Sequence, residues 1–119
     1  MQYMLMIYIN EKSAPVPAVA ERKMSEEFAA YTDAMKKAGA FIAGERLHPT
    51  TSATTVRKTD GKVKVLNGSY AETREQLAGY YLIEAADIDA AISWAGRCPA
   101  AAYGSLEVRP VAPMAMADA

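Results

Sequence analysis

The chain has 119 residues and a mass of 12.8 kDa, which suits one domain with a single hydrophobic core. Thirteen Lys and Arg residues against fourteen Asp and Glu residues give a net charge of -1, so no basic surface is expected to bind nucleic acid. One Cys and one His exclude a disulfide framework, a zinc finger and any metal motif that needs two imidazoles. We therefore expect one domain over residues 1–111 and a flexible tail over residues 112–119, without a metal or a cofactor.

The first apolar run predicts a buried strand over residues 2–9. Its sequence QYMLMIYI is apolar at both parities, which is typical of a strand covered on both faces. No basic segment precedes it and no small-residue cleavage site follows it, so a signal peptide is excluded. No segment approaches the apolar length of a membrane helix, and we expect a soluble, cytoplasmic protein.

A loop and a helix follow this strand. Residues 10–22 contain Pro15 and Pro17 among small residues and predict a loop. Apolar residues at helical spacing then predict a helix over residues 24–38, with Ser25 as its N-cap and Gly39 as its stop. Residues 40–47 predict the second strand.

Residues 53–66 predict a β-hairpin around Asp60-Gly61, because both positions of this pair accept the positive φ of a type I′ turn. Pairing Thr59 with Lys62 gives one apolar face and one polar face; the apolar one carries Val56, Val63 and Val65. The polar face carries Arg57 and Lys64, which indicate either a solvated surface or an anion site. The solvated surface is the favoured alternative.

The last third of the chain predicts a short helical turn, two strands and a helix. Thr73-Arg74-Glu75-Gln76 matches a capping box for a turn through Ala78 that ends at Gly79. Residues 79–85 predict a strand, Asp87 an N-cap for a helix ending near Gly96, and residues 105–109 a strand with clean alternation.

The order of these elements predicts an α+β fold: a ferredoxin-like antiparallel sheet with two helices on one face, plus the hairpin. The strands at 2–9 and 79–85 carry apolar residues on both faces, so the face without helices would stay uncovered in a monomer. A second copy stacked on that face would bury it. We therefore predict a homodimer of the α+β barrel type.

Five residues are candidates for a functional site in a cleft beside the sheet. His48 precedes a Pro at a strand end and is the natural general acid or base; Glu107 and Arg109 share one face of the last strand. Arg109 would bind an acidic group, and Glu107 would act as a base or orient Arg109. Tyr8 and Tyr81 are candidates for contacts with an aromatic ligand. A surface loop His, an ion pair and core tyrosines are the structural alternatives.

Cys98 is excluded as a nucleophile, because the C-terminal end of a helix disfavours a thiolate.

Several segments together resemble one known family. They are Tyr3-Met4-Leu5-Met6-Ile7-Tyr8, Gly44-Glu45-Arg46-Leu47, Ala71-Glu72-Thr73-Arg74-Glu75-Gln76-Leu77, Gly79-Tyr80-Tyr81-Leu82-Ile83 and Gly104-Ser105-Leu106-Glu107-Val108-Arg109-Pro110. The chain resembles YCII-related proteins of the DGPF subgroup over nearly its whole length. Where that subgroup reads Asp-Gly-Pro-Phe, this chain has Asn67-Gly68-Ser69-Tyr70, which keeps the glycine and an aromatic ring.

The resemblance implies a dimeric α+β barrel. YCII relatives have been proposed to use a His near the first helix with an Asp, and a few are lyases acting on chlorinated hydroxyquinols. The predicted first helix here has Phe28 and Tyr31 but no His, so that pair is not carried over. Other members are encoded beside extracytoplasmic-function sigma factors.

Two functional hypotheses follow. The first is a dimer that binds a small aromatic or acidic metabolite in a cleft, with cofactor-free acid–base chemistry if it is an enzyme. The second is a non-catalytic accessory or regulatory protein that works with a sigma factor.

Overall fold

A computed structural model of the protein describes residues 1–13 and 17–114. The strands, in chain order, are β1 Gln2–Ile9, β2 Phe41–Arg46, β3 Thr54–Thr59, β4 Lys62–Asn67, β5 Gln76–Glu84 and β6 Ser105–Pro110. The helices are α1 Ala18–Lys37 and α2 Ile88–Arg97, with single 3-10 turns at Thr50–Ser52 and Pro99–Ala102. Residues 14–16 of the predicted loop and residues 115–119 of the predicted tail lie outside the described residues.

Four strands form one antiparallel sheet in the order β2-β5-β1-β6. Because β5 lies between β1 and β2 and runs antiparallel to both, β1 and β2 are parallel to each other and α1 connects them. This is the split βαβ arrangement of a ferredoxin-like fold. β3 and β4 form a separate two-stranded sheet.

Both helices cover the same face of the four-stranded sheet. Tyr3, Leu5 and Ile7 point from β1 into the core, where they meet Met35 of α1 and Ala91 of α2. The predicted α+β fold, with two helices on one face of an antiparallel sheet, is confirmed. No helix of residues 1–13 or 17–114 lies on the opposite face of the sheet, here called the open face.

The predicted start of the first helix is wrong, because the helix begins earlier in the chain. The helix starts at Ala18 and not at Met24, and its N-cap is Pro17 and not Ser25. Residues 18–22 are mostly strong helix formers, and the Pro17 carbonyl accepts from the Glu21 amide to open the first turn. Gly39 ends the helix as predicted, with a φ of 73° and amide bonds back to the last turn that complete a Schellman motif.

The predicted helical turn over residues 73–78 is also wrong, because these residues lead into β5. The Thr73 hydroxyl donates to the Glu75 carbonyl and does not cap a helix. Gln76 pairs with Ile9 of β1, and its side-chain oxygen accepts from the Glu11 amide. Gly79 lies within β5 and does not end an element. Pairing with β1 outweighs the local capping signal.

Asp87 is the N-cap of α2, as predicted, because its carboxylate accepts from the Ala90 amide. Cys98 follows the helix as its C-cap and is buried.

The hairpin β3–β4, residues 54–67, is here called the arm. The predicted turn and register are confirmed: Asp60 and Gly61 have φ of 51° and 76°, and Val56 pairs with Val65. The register gives the predicted apolar face and polar face. The valine face of the arm, formed by Val56, Val63 and Val65, is exposed at 61–63%.

Candidate functional site

The open face carries three of the five candidate residues. Tyr8 on β1 points to this face, as do Glu107 and Arg109 on β6, which pair with Met6 and Met4 of β1. The centre of the face is formed by half-buried apolar side chains: Met4, Met6, Tyr80 and Leu82. Glu45, Glu84 and Glu107 lie around that centre.

Glu107 and Arg109 are two residues apart on one strand and both are exposed. The ion pairs of the described residues are those of the N-terminal amine with Glu84 and of Lys37 with Asp33, so Glu107 does not clamp Arg109 within one protomer. Arg109 therefore keeps its N–H donors for another acceptor.

His48 lies in the loop that follows β2, and its side chain is exposed. β2 and β6 are the two edge strands of the sheet, three strand spacings apart, which is about 14 Å. The structure therefore does not bring His48 together with Glu107 and Arg109 in one protomer.

Tyr81 lies on the helix-covered face and not beside Tyr8. Its hydroxyl is 2.8 Å from the Thr32 hydroxyl, and its ring meets Tyr31 edge to face at a centroid distance of 5.3 Å. Burial raises the pKa of Tyr81, and the hydrogen bond between its hydroxyl and that of Thr32 opposes that shift. Within the protomer this residue connects β5 to α1.

Tyr31 and Cys98 are two further buried titratable groups of the core. Burial raises the pKa of both, and the Tyr31 hydroxyl donates to the Trp94 carbonyl at 2.7 Å. A buried thiol with a raised pKa agrees with the exclusion of Cys98 as a nucleophile.

A cavity of about 320 Å³ lies at the base of the arm. It is lined by Thr55, Arg57, Leu66, Ser69, Tyr70 and Ala71. The Arg57 guanidinium lies 4.4 Å from the centroid of the Tyr70 ring, and no carboxylate of the described residues pairs with it. Lys64 is the cross-strand partner of Arg57, so two positive charges face each other beside the cavity.

Sequence reasoning found Arg57 and Lys64 but missed Tyr70 as their neighbour. The signal was the Asn67-Gly68 turn, because Gly68 has a φ of 100° and turns the chain back after β4. The Thr55 hydroxyl donates to the Gly68 carbonyl at 2.7 Å, and the Gly68 amide donates to Ala53. These two bonds hold the 68–71 segment beside the arm.

A second cavity, of about 420 Å³, runs along α1 and is lined by Phe28, Ala29, Thr32, Asp33 and Lys36. Asp33 is paired with Lys37 at 3.0 Å, and the Lys36 amine lies 5.1 Å from the centre of the Phe41 ring. Both charges of this surface are thus already partnered.

Over residues 1–13 and 17–114, no three His, Cys, Asp or Glu side chains are placed to hold a metal ion. Within the same residues, no helix is long and apolar enough to cross a membrane.

One layer of the molecule is the four-stranded sheet and the other is formed by the two helices. This arrangement defines an α+β protein with the ferredoxin-like strand order. The YCII-related domain family matches residues 1–115, and this chain belongs to that family. An uncharacterized protein from Rhizobium meliloti (strain 1021) is 36% identical over 115 residues, which cover 94% of this chain and 93% of the relative. The DGPF subgroup stays a prediction.

Proposed function

We propose that this protein is a homodimer that binds a small acidic, aromatic metabolite in the cavity at the base of the arm. The observation that carries the ligand proposal is the Arg57 guanidinium lying over the Tyr70 ring beside a concave surface of about 320 Å³. Cavities of this size suit small molecules.

The chemistry of the cavity favours a planar carboxylate. A guanidinium presents several N–H donors in one plane and binds a carboxylate through two hydrogen bonds. Leu66 and the Tyr70 ring supply apolar contact for an aromatic ring, and the Ser69 hydroxyl adds a polar contact. A bound anion would also relieve the repulsion between Arg57 and Lys64.

The open face supports the dimer. No helix of the described residues covers its apolar centre, and a second copy is the simplest symmetric cover. The protomer exposes 8741 Å², whereas a compact monomer of this mass exposes about 6,300 Å². The excess, roughly 2,400 Å², is of the size that each subunit buries in a permanent homodimer.

The residues of the open face have a different role in this proposal, at the interface between the two subunits. Arg109 and Tyr8 would lie at the dimer interface, and they are the ligand contacts of the alternative site on this face. Acid–base chemistry by His48 with Glu107 stays a prediction, since a second copy would have to bring these groups together. The sigma-factor partnership also stays a prediction.

Titration with benzoate, followed by ¹H–¹⁵N NMR, tests the ligand proposal. We expect the amides of Arg57 and Tyr70 to shift, and Arg57→Ala to weaken benzoate binding by about tenfold or more, because a charge-assisted hydrogen bond is lost. Arg109→Ala removes the same charge on the open face and should leave the affinity unchanged.

Acetate is the control for the ring, and it should bind at least several-fold more weakly than benzoate. Loss of binding in Arg109→Ala alone would move the site to the open face. Unchanged binding in both variants would refute the carboxylate proposal. Native mass spectrometry of the gently purified protein measures the mass of the assembly, for which we expect twice 12.8 kDa. The same spectrum detects any ligand that the protein has retained.

A further inference from the structure

In the described part of the chain, the arm forms a sheet of its own. Its two strands pair with each other and with no strand of the four-stranded sheet. The whole chain measures 48 × 47 × 18 Å, with a radius of gyration of 16.7 Å, against about 13.5 Å for a compact chain of this length. Such a flat shape leaves the arm and the open face as large free surfaces.

The valine face of the arm is apolar, as is typical of a strand face that packs against another surface. Val56, Val63 and Val65 lie together on it, and each keeps more than half of its side chain exposed. An isolated two-stranded hairpin is marginally stable in water, and such hairpins become stable when one apolar face is packed on something else. Residues 1–13 and 17–114 supply no such cover for the three valines.

Charge complementarity indicates what covers it. Lys58 is the basic residue of the valine face, and Arg57, Lys62 and Lys64 lie on the other face of the arm. The arm as a whole carries four basic side chains and one acidic side chain, whereas the rest of the chain carries nine basic and thirteen acidic side chains. The arm is thus positive and the remainder, here called the body, is negative. A second copy of the chain offers this complementary body, with three glutamates around the apolar centre that the dimer itself buries.

We propose that the valine face of the arm packs against the body of a second copy, so that the two subunits clasp each other reciprocally. The clasp rests on the proposed homodimer and deepens it. A two-fold axis makes both arms equivalent, so each subunit gives one arm and receives one. Lys58 lies on the valine face opposite Val63 and is placed to meet an acidic group of the partner.

Two adjacent residues of the arm supply a matched test. Val65 and Leu66 are exposed at 61% and 56%, but they point to opposite faces of the arm. Val65→Asp puts a carboxylate into the clasp, and we expect the dimer dissociation constant to rise at least about 100-fold in sedimentation equilibrium. Leu66→Asp adds the same charge on the other face of the arm and should change the dimer dissociation constant by less than about threefold.

A milder variant keeps the test valid if the aspartate unfolds the arm. Val65→Thr preserves the β-branched shape and the strand preference but places a hydroxyl on the valine face. We expect dimerisation several-fold weaker than in the wild type, with the amide shifts of Thr59 and Lys62 in the turn unchanged.

The outcomes separate the clasp from the dimer itself. A wild-type dimer that both Val65 variants leave intact overturns the clasp but keeps the dimer through the open face. Equal weakening by Val65→Asp and Leu66→Asp overturns the assignment to the valine face. A monomeric wild type at micromolar concentration overturns both proposals, whereas the benzoate titration still decides the ligand proposal.

Discussion

Gly104 shows how closely the backbone segments approach each other at the start of β6. A Cβ atom at this position would lie 2.3 Å from the Tyr8 carbonyl oxygen and 3.1 Å from a methyl group of Ile9. The nearest obstacle is backbone, which cannot rotate away as a side chain can. Position 104 therefore requires glycine for space, although its φ does not.

Replacing Gly104 by Ala should destabilise the fold by about 2 kcal/mol or more, because β1 and β6 must move apart. Urea unfolding measures the change in the free energy of unfolding. Gly96→Ala is the matched control: nothing lies within 4 Å of its Cβ position, and alanine favours α2, so we expect about 0.5–1 kcal/mol of stabilisation. Equal effects of the two substitutions would contradict the close approach at Gly104.

Tyr31 connects three parts of the core through one side chain. Its ring contacts Tyr81 of β5 and Trp94 of α2, and its hydroxyl binds the Trp94 carbonyl. The Cys98 amide donates to Ala95 and leaves this carbonyl of the last helical turn to Tyr31.

Tyr31 also predicts a loss of stability at alkaline pH. Burial raises its pKa above the ordinary value of 10.0, so above pH 10 the unfolded chain releases this proton while the folded chain keeps it. The folded state then binds more protons, and the free energy of unfolding falls as pH rises from about 10 towards the raised pKa. We expect Tyr31→Phe to lose less stability than the wild type between pH 9 and pH 11, measured by urea unfolding.

Tyr70→Phe is the control for this pH dependence, since it removes a hydroxyl from a ring that is 72% exposed. A pH profile of Tyr31→Phe that parallels the wild type would refute the role of Tyr31.

At the scale of elements, local signals sufficed wherever the backbone geometry is decided within a few residues. The Asp60-Gly61 turn and its register, the Asp87 cap and the Gly39 stop were all predicted from adjacent residues, because their φ values and hydrogen bonds are local.

The element predictions failed where a distant segment decides the conformation. Thr73-Arg74-Glu75-Gln76 has a helix-start pattern, yet Gln76 pairs with Ile9 of β1, sixty-seven positions earlier in the chain. The prediction of the start of α1 failed for another reason. The two prolines nearby indicated a loop, whereas Pro17 is the residue before the helix, where the missing N–H of proline costs no helical hydrogen bond.

The candidate site could be predicted only in part, for the same reason. Alternation in β6 assigned Glu107 and Arg109 to one face, and the pairing of β6 with β1 adds Tyr8 to it. The strand order decides that His48 lies at the far edge, and the parity of β5 places Tyr81 on the helix side. Neither property can be derived from the spacing of residues along one strand.

At the scale of the whole molecule, the open face is the surface on which the proposed dimer depends. Met6 lies at its centre, between Tyr80 of β5 and Glu107 of β6. Burying this face would remove large apolar side chains from water in both subunits at once.

Met6→Glu should therefore weaken the dimer at least about tenfold, because a carboxylate would be buried against the apolar centre of the partner. Sedimentation equilibrium measures this effect. Val19→Glu places the same charge on α1 at a position that is 78% exposed, and we expect it to leave the dimer unchanged. A Met6→Glu variant as dimeric as the wild type would contradict an interface through the open face.

The single tryptophan lets fluorescence report on the helices but not on the arm. Trp94 lies against Tyr31 and has the Arg97 guanidinium 4.3 Å from its ring, so its emission depends on the contact between the two helices. The arm contains no aromatic residue at all. Tryptophan fluorescence therefore reports the integrity of the helical layer and is blind to the arm, which could fray while the emission stays constant.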